Sequence, residues 1–186
     1  MGRTPGHPQS ESVLHFWFVE TAPAAWWKAD PAFDAGLIER FAALHTAATA
    51  GELFGWRSTP GGRLAEVIVL DQFSRNMFRG TPRAFASDPM ALVLSQEAVA
   101  LACDLALPAP QRAFLYMPYM HSESRLVHAA AERLFASPEL ADSHEFELRH
   151  KAVIDRFGRF PHRNAALGRP STAEELEFLR QPGSHF

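Results

Sequence analysis

The sequence predicts an all-α fold, an array of antiparallel helical hairpins, and three observations carry that prediction. Helix start signals recur (Asp30-Pro31, Ser87-Asp88-Pro89 and the capping box Ser171-Thr172-Ala173-Glu174), each placing a short polar side chain where a first turn leaves backbone N–H groups unbonded. Between these signals the apolar residues repeat at helical spacing instead of alternating. Only Glu66 to Leu70 is β-branched enough to compete as a strand, and no second stretch offers it a partner.

Taken in order, residues 1–9 (MGRTPGHPQ) are expected as a loose N-terminal tail and residues 10–186 as one domain. A short helix is expected over Val13 to Val19. Asp30-Pro31 opens the next, whose stripe Phe33, Leu37, Phe41, Leu44 and Ala48 runs until Gly51. Pro60, after Ser58-Thr59, opens a buried helix over about Gly62 to Phe73, which is preferred to the strand. Ser87 starts a helix reaching about Leu105, closed by Pro108 and Pro110. Ser122 is the expected cap of a helix to Phe135, ended by Ser137-Pro138. A further helix carries Phe146, His150, Val153 and Phe157 on one face and stops near Gly158. The capping box at Ser171 then opens a last helix through Leu176 and Leu179, before Pro182. The connections are short enough for antiparallel neighbours.

Composition narrows the functional classes. Of 186 residues 47% are apolar, including 15 Phe and 4 Trp, enough for a sizeable core without a metal or disulfide staple. The net charge of −3 excludes a whole-surface footprint for nucleic acid, and no nucleic-acid partner is expected. Cys103 is the sole cysteine, so no intramolecular disulfide forms and a reducing, cytoplasmic setting is expected; its apolar neighbours from Ala100 to Ala106 make it a packing residue. No apolar run approaches the ~20 residues of a membrane span, so no membrane partner is expected either.

Two stretches echo one another. Val69-Leu70-Asp71-Gln72-Phe73-Ser74-Arg75 matches Val153-Ile154-Asp155-Arg156-Phe157-Gly158-Arg159, and at the same offset of 84 residues Arg79 falls on Arg163 and Ser87 on Ser171. One reading is a duplicated helix–loop–helix unit whose Arg loops face a shared pocket. The other is that Arg suits the negative end of any helix dipole.

Three polar clusters interrupt the apolar sequence: Asp71 to Asn76 with Arg79, then His121-Ser122-Glu123, then His150 to Asn164. The strings LHFWF (14–18), WWKADPAFD (26–34), LDQFSRNMFRGTPRAFASDP (70–89), FLYMPYMHSES (114–124), RFGRFPHRN (156–164) and EELEFL (174–179) enclose them. Together these strings resemble, nearly end to end, the bacterial domain-of-unknown-function family 924. The resemblance implies a fold similar to tetratricopeptide-type superhelices and implies no reaction. Ser74 stands where family members usually have proline; losing that ring loosens φ at the turn and leaves Asp71, Arg75 and Asn76 in place.

Guanidinium forks suit carboxylate or phosphate, so Asp71, Arg75, Asn76, His121, Glu123, His150, Arg159, His162, Arg163 and Asn164 are the candidate ligand-binding set. The ligand class would be a small polar or anionic molecule, or a carboxylate of a protein partner. In an alternative enzyme reading, His121 or His162 works beside Glu123 or Asp71 as general acid and base, making His121, Glu123 and His162 the catalytic candidates. In a third reading the carboxylates of Asp71, Glu123 and Asp155 only tie Arg residues across helix ends. The His and carboxylate spacing matches no compact ligand signature, so neither a metal nor another cofactor is expected. His150 shares a face with three apolar residues, the usual setting of a core histidine. The aromatic strings Phe16-Trp17-Phe18 and Trp26-Trp27 are read first as core packing, then as a groove lining.

Overall fold

The computed structural model describes residues 6–184. Among them are nine α-helices and no strand: α1 (Pro8–His15), α2 (Pro31–Thr49), α3 (Pro60–Ile68), α4 (Ser74–Met77), α5 (Asp88–Ala100), α6 (Ala109–Met120), α7 (Arg125–Phe135), α8 (Ala141–Phe157) and α9 (Ala173–Leu179). The start of α1 lies inside the expected tail, because His7 accepts from the Gln9 N–H as a cap and Pro8 takes the first helical position. The rest of that tail, residues 1–5, lies outside the described residues.

Glu66 to Leu70 is helical, and the reason is burial. All five residues are fully buried, since α3 packs against α1, α5 and α6 at once. A helix covered on every side is apolar all round, and tertiary packing overrides β-propensity there. The one charge among these five residues, Glu66, is held by two Arg57 nitrogens, each at 2.7 Å.

Two segments, Phe16–Glu20 and Val69–Phe73, widen into π-helical turns. The second joins α3 to α4 without a break and packs against α2 and α5. The aromatic residues between these turns form the centre of the core. Phe41 sits 5.0 Å from Phe16 and 5.0 Å from Phe73, and Trp17 lies between Phe73 and Phe114 at 5.6 and 5.7 Å. Trp26 donates its indole N–H to the Trp17 carbonyl at 2.9 Å, which pins the segment between α1 and α2 over this cluster. The aromatic strings therefore pack the core, although Trp27 remains 67% exposed.

Several boundaries move. The fifth helix ends at Ala100 instead of near Leu105, because Ala102 turns left-handed (φ 53°). Pro108 and Pro110 open a helix that the sequence reading leaves unassigned: Pro108 is the cap residue of α6, and Pro118 is carried inside it. The cap of α7 is Ser124, whose hydroxyl accepts from the Val127 N–H; Ser122 stays in the preceding loop. The last capping box sits one residue later than expected, on Thr172 and Glu175. Helices α5 to α8 then pack in succession, each on the next. A smaller core of Val153, Ile154 and Phe160, with Phe157 and Phe178 against it, closes the C-terminal end.

Candidate functional site

The widened turn at Val69–Phe73 sets the aim of Asp71. Such turns rotate the residues after them relative to a regular helix and recur at functional sites. Here Asp71 is brought across the core to the end of α6, where its Oδ1 meets His121 Nδ1 at 2.8 Å. The same oxygen is 2.9 Å from Arg75 Nη1, and Gln72 Nε2 donates to Oδ2 at 2.6 Å. Only 1% of the Asp71 side chain is exposed, against 15% for His121.

Arg75 reaches onward from Asp71 to grip both oxygens of Asp88, at 2.9 and 3.0 Å. Asp88 is the first residue of α5, so its carboxylate also faces the positive end of that helix. Arg163 comes from the opposite end of the chain, donating to Asp88 Oδ2 at 3.2 Å and to the His121 carbonyl at 3.0 Å. Its guanidinium lies over two rings, 4.7 Å from Phe85 and 4.5 Å from Phe160. His150 completes the group, its ring 6.4 Å from that of His121 and 5.7 Å from Phe160. His162 also adjoins Phe160, its ring 5.5 Å away.

The electrostatics follow from burial. Burial works against the Asp71 carboxylate, yet the Arg75 cation and the hydrogen bonds from His121 and Gln72 prevail and hold it well below the usual carboxylate range. His121 is pushed down, first by burial and then by the Arg75 cation, which together outweigh Asp71. An ionised carboxylate only accepts, so Nδ1 of the neutral imidazole carries the hydrogen and Nε2 carries the lone pair. No hydrogen bond among the described residues engages that Nε2. His150 is pushed down to about 3 by burial; its Nδ1–H donates to the Phe146 carbonyl, so it too is neutral. Burial and Arg75 lower Arg163 to about 10, which leaves it cationic at neutral pH. Two guanidinium groups thus face two carboxylates, and the four charges cancel.

Residues 13–183 match a family described as a bacterial protein of unknown function, DUF924. The chain belongs to this family. It is similar to a solved structure of a protein of unknown function from Agrobacterium tumefaciens, at 36% identity and a TM-score of 0.83, over 92% of this chain and 96% of that one. No curated protein matches it. No helix among the described residues of this DUF924 chain is long and apolar enough to cross a membrane.

The remaining candidates lie elsewhere. Asn76 and Arg79 both bind Asp34 on α2, at 2.8 and 2.9 Å, beside a shallow concavity of about 300 Å³. Glu123 is consumed by the loop after α8: it accepts from the Phe160 N–H at 2.8 Å and from Arg169 at 2.6 and 2.9 Å. Burial opposes its charge and Arg169 more than restores it, so its carboxyl is held low and carries no spare proton at neutral pH. Arg159 donates twice to Glu175, at 2.6 and 2.8 Å, and Asn164 donates to the same carboxylate at 3.3 Å. Asp155 pairs with Lys151, not with Arg159. Among the described residues no three His, Cys, Asp or Glu side chains gather as metal ligands.

Sequence reasoning missed Asp88, Arg169 and Glu175 as members of these networks. Asp88 and Glu175 were legible only as first-turn residues, and their partners come from 75 and 16 residues away. Spacing along the chain carries no trace of such pairings.

Proposed function

We propose that this DUF924 protein binds a polar small molecule through His121, whose Nε2 accepts a hydrogen from the ligand. One observation carries the reading: a neutral, partly exposed imidazole is oriented by a buried ionised Asp71 and leaves its second nitrogen unengaged. A carboxylate behind a histidine fixes tautomer and ring plane and makes the far nitrogen a better acceptor. The ligand class is a neutral molecule with a donor group. Arg75 and Arg163 are already neutralised by Asp71 and Asp88, so an anion meets no surplus charge. Arg163, His150 and His162 supply the surrounding polar and aromatic surface.

The same Asp71–His121 pair favours a second reading, general-base chemistry on the bound molecule. In both readings the frame is a tetratricopeptide-like superhelix, supported by the successive packing of α5 to α8, and the setting is cytoplasmic, supported by the single cysteine.

The test is a screen of neutral donor-bearing compounds by nitrogen-15 NMR of the histidine rings, with mass spectrometry of molecules that co-purify. A ligand that moves the His121 Nε2 resonance and is lost in His121→Ala supports the proposal. Ligands retained undiminished by His121→Ala overturn it. A hydrolase screen on the same two proteins separates binding from catalysis.

A further inference from the structure

A second histidine–carboxylate pair, distinct from Asp71–His121, lies buried where α7 crosses α8. His128 and Glu147 are both fully buried, and His128 Nδ1 is 2.7 Å from Glu147 Oε1. The other ring nitrogen, Nε2, is 2.8 Å from the carbonyl of Ser122. A carbonyl oxygen only accepts, so Nε2 must carry a hydrogen. A neutral imidazole has one N–H, and Nε2 uses it. The short contact to Glu147 then needs a second hydrogen, either on Nδ1 as an imidazolium or on Glu147 as a carboxylic acid. With neither, two lone pairs would face each other at 2.7 Å in a site without solvent.

We infer that His128 and Glu147 together retain one proton in the α7–α8 interface well above the ordinary titration range of either, and that this proton ties the loop carrying His121 to α8. Glu147 Oε2 is buried with no hydrogen-bond partner among the described residues. A carboxylate with a bare buried oxygen is costly, which favours a shared proton over an ionised group. Burial pushes Glu147 up, against the pull of His128. The charged and titratable neighbours do not supply an alternative: Glu132 comes from α7, and His144, His150, Lys151 and Asp155 from α8. From the 158–164 segment the Phe160 ring lies edge-on to His128 at 6.2 Å.

The inference has a thermodynamic signature. In the unfolded chain a glutamate loses its proton near pH ~4.3 and a histidine near ~6.5. Above about pH 6.5 the folded pair holds one proton that the unfolded chain does not, so stability falls as pH rises until the pair itself releases it. Glu147→Gln should abolish this fall and keep the geometry, because the amide N–H can donate to Nδ1 of a neutral His128 with no added proton. The relevance to His121 rests on the function proposed above; the proton itself is tested without reference to it.

The experiment measures the folding constant by urea titration from about pH 7 upward, in the wild type and in Glu147→Gln. Relative to the variant, the wild type should lose up to about tenfold per pH unit. Parallel curves overturn the inference. Nitrogen-15 and carbon-13 NMR of the wild type gives an answer that does not need the variant to fold. Two N–H groups on His128, or a protonated Glu147 carboxyl, support the shared proton. One N–H on His128 beside an ionised Glu147 overturns it.

Discussion

Asp71→Asn is the perturbation that isolates the charge at the centre of the candidate site, since it changes charge and almost nothing in shape. Removing one partner from a buried ion pair costs ~3–5 kcal/mol when the other is left alone. Arg75 is not left alone, because both oxygens of Asp88 remain on it. The asparagine oxygen can still accept from His121, and Gln72 can turn its amide to face the new N–H₂. What disappears is the Arg75 ion pair and the charged part of two hydrogen bonds, so a loss of about 2–3 kcal/mol is expected. With a urea slope of ~2 kcal/mol/M, the unfolding midpoint should drop by about 1–1.5 M near neutral pH. The pH dependence has a definite sign. The Asp71 carboxyl is held below its unfolded value of ~3.9, so its contribution is complete above that pH and is lost as pH falls through the folded value. The gap between wild type and variant should therefore hold from neutral pH down to about pH 4 and close below it. A gap that stays constant through the acid range, or that is under about 0.5 kcal/mol throughout, would refute an ionised Asp71 at the centre of the network.

Two further predictions concern the frame. A Cβ on Gly62 would lie 2.0 Å from the Trp56 carbonyl oxygen, a backbone atom that cannot swing away. Gly62→Ala should therefore cost about 3 kcal/mol or more, whereas Gly36→Ala, with nothing within 4 Å in mid-helix, should gain about 0.5–1 kcal/mol; equal effects in urea unfolding would contradict the packing described. Arg159 and Arg163 should differ in the same way. Arg159→Met should speed hydrogen exchange only in the amides of α9, which Arg159 tethers through Glu175. Arg163→Met should lower the global midpoint, and the reverse pattern would mean that Arg163 is not the residue joining the C-terminal segment to α5 and the end of α6.

Much of the fold was legible because its signals are local. Asp30-Pro31 caps α2 as read, with Asp30 accepting from the Ala32 and Phe33 N–H groups, and Gly158 ends α8 in the left-handed conformation. What failed was equally local competition. Ser122 and Ser124 are chemically equivalent caps on paper; in the fold Ser124 caps α7, and the Ser122 carbonyl is taken by His128. Nor does the sequence contain any sign of the π-helical turn at Val69–Phe73. Without that turn the reach of Asp71 to His121 is invisible, and Glu123, two residues on, is an equally good partner on paper. Glu123 is lost to the site because Arg169, outside every cluster marked in the sequence, takes both of its oxygens.

The echo between the two Arg loops now has a physical content narrower than a shared pocket. In each stretch an arginine near the C-terminal end of the longer helix bonds an acidic residue in the first turn of the next: Arg75 bonds Asp88 of α5, and Arg159 bonds Glu175 of α9. That arrangement neutralises a carboxylate beside the positive end of a helix and braces the turn between, with partners 13 residues apart in the first stretch and 16 in the second. The aspartates separate the two stretches. Asp71 lies within a widened turn, is 1% exposed and meets His121; Asp155 lies in a regular stretch of α8, is 45% exposed and pairs with Lys151. A buried carboxylate must be compensated by specific partners, whereas a half-exposed one is solvated at little cost. The two stretches therefore share bracing, and the first, through the π turn, sets a buried carboxylate against His121. The second stretch meets the first through Arg163, which follows its brace and returns to Asp88, the acid that Arg75 already holds.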